Sequence, residues 1–183
     1  MIFKELNLKG AFLITPEPYT DNRGFFLRSF CSNEFAQQGL ENTFIQMNHS
    51  GTKTVGSIRG MHFQYPPYSE IKVVKCIKGA IFDVLIDLRK DSPTFLQWQA
   101  VELNVENMQS VYIPEGFAHG FQTLTDDAEI IYLVSNVYNK ESEGGIRFDD
   151  PAIAIKWKVP VTIMSEKDLG IPYINSTFKG IKL

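Results

Sequence analysis

In Ile81-Phe82-Asp83-Val84-Leu85-Ile86-Asp87-Leu88-Arg89 the side chains alternate in character. Phe82, Val84, Ile86 and Leu88 make one apolar face, while Asp83, Asp87 and Arg89 fall on the other. A period of two belongs to a strand, because successive side chains leave opposite sides of the pleat. The stretch therefore predicts a strand half-buried in a sheet, with the odd-numbered face as the polar one. Shorter runs of the same kind lie around it at Lys72–Ile77, Trp98–Leu103, Ser110–Ile113 and Glu129–Val134. Turn signals separate them: Lys78-Gly79, Asp91-Ser92-Pro93, Pro114-Glu115-Gly116 and Thr125-Asp126-Asp127. Short strands at this spacing, with one helical candidate at Ser32–Gln38, predict an all-β sandwich or barrel. Ser32 or Asn33 would cap that helix, Glu34 sits in its first turn, and Gly39 would end it.

The C-terminal third is richer in Pro and Gly and reads as a wrap around the barrel. No repeat, low-complexity tract or linker divides the 183 residues, and a domain commonly takes ~150, so residues 1–183 are read as one domain. Its core would span about 10–140 and its wrap about 141–183. Eighteen Lys and Arg against 21 Asp and Glu leave a formal net charge of −3 with no basic block, which excludes a nucleic-acid-binding surface. No apolar run approaches the ~18 residues that a membrane helix needs. The opening Met1-Ile2-Phe3-Lys4-Glu5 has an acid where the apolar core of an export signal would build, so none is expected. Two cysteines, Cys31 and Cys76, are too few for a disulfide scaffold and are read as free thiols in a reducing cytoplasm.

Three histidines are present: His49, His62 and His119. Arg59-Gly60-Met61-His62-Phe63-Gln64 reads as a strand carrying a cation, an imidazole and an amide. Strict alternation would put His62 and Gln64 on one face and Arg59 on the other. Gly60 permits a bulge that would turn Arg59 toward the same cavity. The plainer reading is a hydrogen-bonded core histidine and a solvated arginine. In Ile113-Pro114-Glu115-Gly116-Phe117-Ala118-His119-Gly120-Phe121, small residues around His119 would let backbone and ligand approach closely, although a tight turn with a structural histidine fits as well. Metal-binding jelly rolls present His-x-His; here Gln64 stands two after His62, and no metal site is expected. Lys72 opens an otherwise apolar strand, facing either a cavity or solvent. Tyr132 reads as a packing aromatic with its hydroxyl at the rim, and Asp168 as a cap or turn residue.

Asp21-Asn22-Arg23-Gly24-Phe25-Phe26, Gln46-Met47-Asn48-His49-Ser50, the Arg59 segment above, Asp91-Ser92-Pro93-Thr94-Phe95, the His119 segment above and Ser165-Glu166-Lys167-Asp168 occur in that order. Together they resemble the dTDP-4-dehydrorhamnose 3,5-epimerase family from about Gly10 to Asp168. The resemblance implies a cupin-type jelly-roll barrel with a few short helices, working as a homodimer without metal or organic cofactor. It implies inversion at C3 and C5 of a nucleotide-linked 4-keto-6-deoxyhexose. His62 would be the base, Asp168 its orienting carboxylate, and Tyr132 the proton donor on the opposite face. Arg59, Lys72 and His119 match positions around hexose and pyrophosphate. Arg23, Phe25, Gln46 and Asn48 match the nucleotide region, part of it supplied by a neighbouring subunit. Tyr138, Glu143 and Lys167 match further substrate-site positions.

These residue types suit the chemistry. A C4 ketone acidifies both neighbouring C–H bonds, and an imidazole with an ordinary pKa of ~6.5 is an apt base at pH 7. One departure stands out: typical members place a Glu after Arg23-Gly24-Phe25-Phe26-Leu27, where this chain has Arg28. Another nucleotide such as CDP, or an added phosphate contact, would follow. Inversion at one carbon alone, a non-catalytic sugar-nucleotide-binding jelly roll and a metal-dependent cupin are the alternative functions.

Overall fold

The computed structural model describes residues 1–183. In chain order the strands are β1 (Ile2–Glu5), β2 (Phe12–Thr15), β3 (Tyr19–Asp21), β4 (Gly24–Phe26), β5 (Gln46–Thr52), β6 (Ile58–Gln64) and β7 (Lys72–Lys78). They continue as β8 (Ala80–Asp87), β9 (Trp98–Asn104), β10 (Ser110–Ile113), β11 (Phe117–Thr123), β12 (Ala128–Val134) and β13 (Glu143–Gly145). Two short helices, α1 (Ser32–Gln37) and α2 (Glu166–Leu169), complete the set of main elements. A six-stranded sheet in the order β1-β2-β10-β7-β12-β5 faces a five-stranded sheet in the order β13-β6-β11-β8-β9, and β3 pairs only with β4. Strand neighbours come from distant parts of the chain, and every pair is antiparallel. The architecture is an all-β, cupin-type jelly roll. The four flanking strands anticipated from alternation are β7, β9, β10 and β12, each within a residue of the expected bounds.

The decisive stretch departs from its reading in one respect: β8 is buried on both faces. Its odd face, Ile81 and Leu85, packs between the sheets against Val74, Leu103 and Phe121. Its even face, Val84 and Ile86, followed by Leu88, packs outward against Ile146, Ile153 and Ile181 from the C-terminal segment. Asp83 and Asp87 are therefore interior residues, each 0% exposed. A buried carboxylate is tolerable only when paired. Asp83 is held by His119, and Asp87 by Arg89, Ser92 and Thr94. The same C-terminal segment covers this outer face, adding Ile155, Trp157, Ile174 and Phe178 to the packing.

On the far side, α1 lies against the six-stranded sheet. Its N-cap is Cys31, with no side-chain cap bond, rather than Ser32 or Asn33. Glu34 instead reaches the N-terminal ammonium and Arg28. Gly39 ends the helix as expected, at φ +69°, with Gly39 N–H bonded to Ala36 and Leu40 N–H to Phe35. So short a helix has little stability of its own. Phe35 anchors it, wholly buried and edge-on to Phe3, Phe30 and Phe44, a burial worth about 1.5–3 kcal/mol.

Candidate active site

The site lies between the sheets, where β6 meets β11. His62 stands opposite His119, but Arg59 stands opposite Phe121, so β6 carries one residue more than β11 over that span. This is the bulge anticipated at Gly60, and it turns Arg59 to the side of His62. Gly60 has φ +112°, and a Cβ there would lie 2.6 Å from Gly120 Cα. A Cβ on Gly120 would lie 2.5 Å from the Arg59 carbonyl oxygen. The close approach expected at Gly120 is thus made to the β6 backbone, and His119 sits in a strand rather than a tight turn.

His62 Nε2 lies 2.6 Å from Asp168 Oδ1, whose side chain is 5% exposed. An ionised carboxylate can only accept, so Nε2 carries the hydrogen, and in the neutral ring Nδ1 has the lone pair. Burial works to raise the Asp168 pKa, but the bond and charge of His62, with help from Ser165, hold it below the usual carboxylate range. Ser165 caps α2 by accepting from the Asp168 N–H, which fixes where the carboxylate sits. A second pair adjoins the first: His119 Nε2 lies 2.8 Å from Asp83 Oδ2, with both side chains almost wholly buried. Asp83 Oδ1 has no partner at all.

A cavity of about 200 Å³ is bounded by Arg59, His62, Lys72, His119 and Tyr132. A second, of about 280 Å³, shares His62, Lys72 and Tyr132 and extends to Gln46, Asn48, Tyr138 and Glu143. Lys72 pairs with Glu70 at 3.0 Å. Burial, reinforced by the Glu70 charge and opposed by Arg59, pushes the Tyr132 phenol above its ordinary value, so it stays protonated. Arg59 is held by neutral oxygens of Thr52 and Gly51. It is the one arginine of five without a carboxylate partner, which leaves its charge free for an anionic ligand. At the outer rim, Glu143 accepts from Tyr138 at 3.0 Å and pairs with Lys167 at 2.6 Å. Gln46 bonds Asn48 beside them.

Two anticipated residues are not brought in. Arg23, its side chain 86% exposed, pairs with Asp21 on the β3–β4 hairpin, and Phe25 is exposed on the same hairpin, so neither joins these cavities within one chain. Arg28 pairs with Glu34 at 2.8 Å on the α1 side, and any phosphate contact it made would compete with that carboxylate. Three further site residues went unread. Glu70 alternates with Ile71 and Lys72, a period-two signal that places it beside Lys72. Ser50 follows Asn48 by the same rule and lines the first cavity. Asp83 had the signal but was assigned to the wrong side of β8. No three His, Cys, Asp or Glu side chains converge as metal ligands.

Comparison with known proteins places this geometry in context. The family model for dTDP-4-dehydrorhamnose 3,5-epimerase matches residues 5–176. A curated dTDP-4-dehydrorhamnose 3,5-epimerase of Shigella flexneri is 44% identical over 163 residues, covering 88% of this chain and 90% of that protein. The crystal structure of the enzyme of that name from Elizabethkingia anophelis superposes with a TM-score of 0.93 at 38% identity, covering 97% of this chain and 98% of that one. A dTDP-6-deoxy-D-glucose-3,5-epimerase from Legionella pneumophila, solved with dTDP-4-keto-L-rhamnose, gives a TM-score of 0.92 at 34% identity and covers 100% of this chain and 98% of its own.

Proposed function

The chain belongs to the dTDP-4-dehydrorhamnose 3,5-epimerase family of isomerases, and from that premise we propose that it converts dTDP-4-dehydro-6-deoxy-D-glucose to dTDP-4-dehydro-L-rhamnose. The observation that carries the reading is the meeting, in one cavity, of an imidazole backed by a carboxylate and a phenol kept protonated. Inversion needs both, since a proton leaves one face of the ring and another arrives on the opposite face. His62 Nδ1 takes the proton from the carbon beside the C4 ketone, and the electron pair moves onto the ketone oxygen as an enolate. Asp168 steadies the imidazolium that forms. Lys72, which lines the same cavity, stabilises the enolate oxygen, a contribution of roughly 3 kcal/mol for one such donor in a dry site. Tyr132 then protonates the carbon from the other face; His62 gives its proton to water, the Tyr132 phenolate takes one back, and the cycle repeats at the second carbon. Arg59 neutralises pyrophosphate, with His119 beside the hexose. Gln46 and Asn48 belong to the nucleotide end, and Tyr138, Glu143 and Lys167 are further positions of the substrate site.

The active unit is read as a cytoplasmic homodimer in which the hairpin carrying Arg23 and Phe25 completes the neighbour's site. What supports the dimer is the hairpin's position: both residues are exposed and neither lines the cavities they are expected to serve.

The test is NMR of dTDP-, CDP-, GDP- and UDP-linked 4-keto-6-deoxyglucose incubated with the protein in D2O. Deuterium entering C3 and C5 of the dTDP sugar is the expected result. Exchange at one carbon would mean a mono-epimerase, and preference for another nucleotide would tie specificity to Arg28. No exchange with any of the four would favour a binding jelly roll.

A further inference from the structure

The carboxylate behind the base rides on α2, which has only four residues. Isolated helices need ~12–15 residues to persist in water, so α2 is placed by its ties and not by its own hydrogen bonds. One tie is the Ser165 cap. A second is Ile171, whose Cδ1 fills the space over Gly145, where a Cβ would lie 2.6 Å from it. The third is Arg147. Its Nη1 donates to the Leu169 carbonyl at 2.6 Å, at the C-terminal end of the helix. Its Nε bonds Asp149 at 2.7 Å, its guanidinium lies 4.9 Å over the Tyr173 ring, and the Tyr173 hydroxyl bonds the other Asp149 oxygen.

Arg147 is also tied to His62 through the backbone. Gly145 is the register partner of His62, and Ile146 exchanges two backbone bonds with Met61. A closed loop results: His62 to β13, β13 to Arg147, Arg147 to Leu169, and Asp168 back to His62.

We propose that Arg147, oriented by Asp149 and Tyr173, is a positioning residue that clips the end of α2 so that Asp168 meets His62. This rests on reading His62 and Asp168 as the base and its partner. In Arg147→Met, kcat for the dTDP sugar falls about tenfold while KM stays within about twofold, because ångström-scale misplacement of a catalytic group acts on the chemical step. In an Asp168→Asn background the same change costs less than about twofold, since Arg147 acts through that carboxylate. The downfield imidazole N–H resonance of the His62–Asp168 bond, assigned by its loss in Asp168→Asn, broadens in Arg147→Met. Equal losses in both backgrounds, or an unbroadened resonance, would overturn the proposal. Wild-type turnover in Asp168→Asn would instead overturn the base-pair reading itself. Should Arg147→Met not fold, Arg147→Lys carries the same test, with a loss of about threefold that vanishes beside Asp168→Asn.

Discussion

Tyr132 and His62 divide the proton work between them, and the division can be measured. Abstraction needs the base alone, whereas inversion needs a proton from the other side. Tyr132→Phe is therefore expected to cut epimerisation by about 10²–10⁴-fold while C–H exchange into D2O falls much less. Equal losses in the two rates would remove Tyr132 from its role. At this scale the sequence was most legible where chemistry demands an unusual residue in a regular pattern. His62, Arg59 and Lys72 each break an apolar strand, and each lines the cavity. Asp83 was misread because alternation tells that two faces differ and not which one meets water. In a closed barrel covered on its outside, the polar face of β8 turned inward to meet His119. Glu70 was missed though the same alternation would have placed it beside Lys72.

Between elements, the crossing of β6 and β11 is the most exacting contact. Gly120→Ala would drive a Cβ to within 2.5 Å of the Arg59 carbonyl oxygen and 2.6 Å of Met61 Sδ. The strands must separate, so a loss of about 1–3 kcal/mol in chemical unfolding is expected together with lost turnover, because the bulge that aims Arg59 goes with it. The connection from β8 to β9 depends on Asp87 instead. Burial works to raise its pKa, but bonds from Arg89, Ser92 and Thr94 outweigh this and hold it below the ordinary value of ~3.9. A depressed folded-state pKa gives stability that is whole above the unfolded value and drains away as pH falls through the folded one. Thermal melts should hold steady down to about pH 4 and drop below it, and Asp87→Asn should lower the plateau and flatten that acid limb. The strands from β6 to β10 and β12 were readable because alternation and turn signals are local. The hairpin β3–β4 and helix α2 were not, since three- and four-residue elements are too short to show a period and owe their form to what they touch.

For the whole molecule, strand order was beyond any local pattern: nothing in β7 announces that it will lie between β10 and β12. The proposed dimer has a clearer trace. Tyr19, Phe25 and Phe26 are large, exposed and grouped on one hairpin, and such a patch marks a contact surface. If that hairpin serves the neighbouring subunit, Arg23→Ala and His62→Ala variants, each inactive alone, should recover turnover when mixed and allowed to exchange subunits. A hybrid dimer then holds one intact site, and no recovery on mixing would place Arg23 in its own chain's site. The unpartnered Asp83 oxygen has a different bearing on the molecule as a whole. A buried acceptor left without a donor costs on the order of 1–3 kcal/mol, and every other buried side-chain polar atom has found a partner. An apolar pair at positions 83 and 119 would recover that energy at the cavity wall and remove its imidazole. Heat resistance and turnover therefore compete at this oxygen, because an apolar replacement that hardens the fold gives up His119.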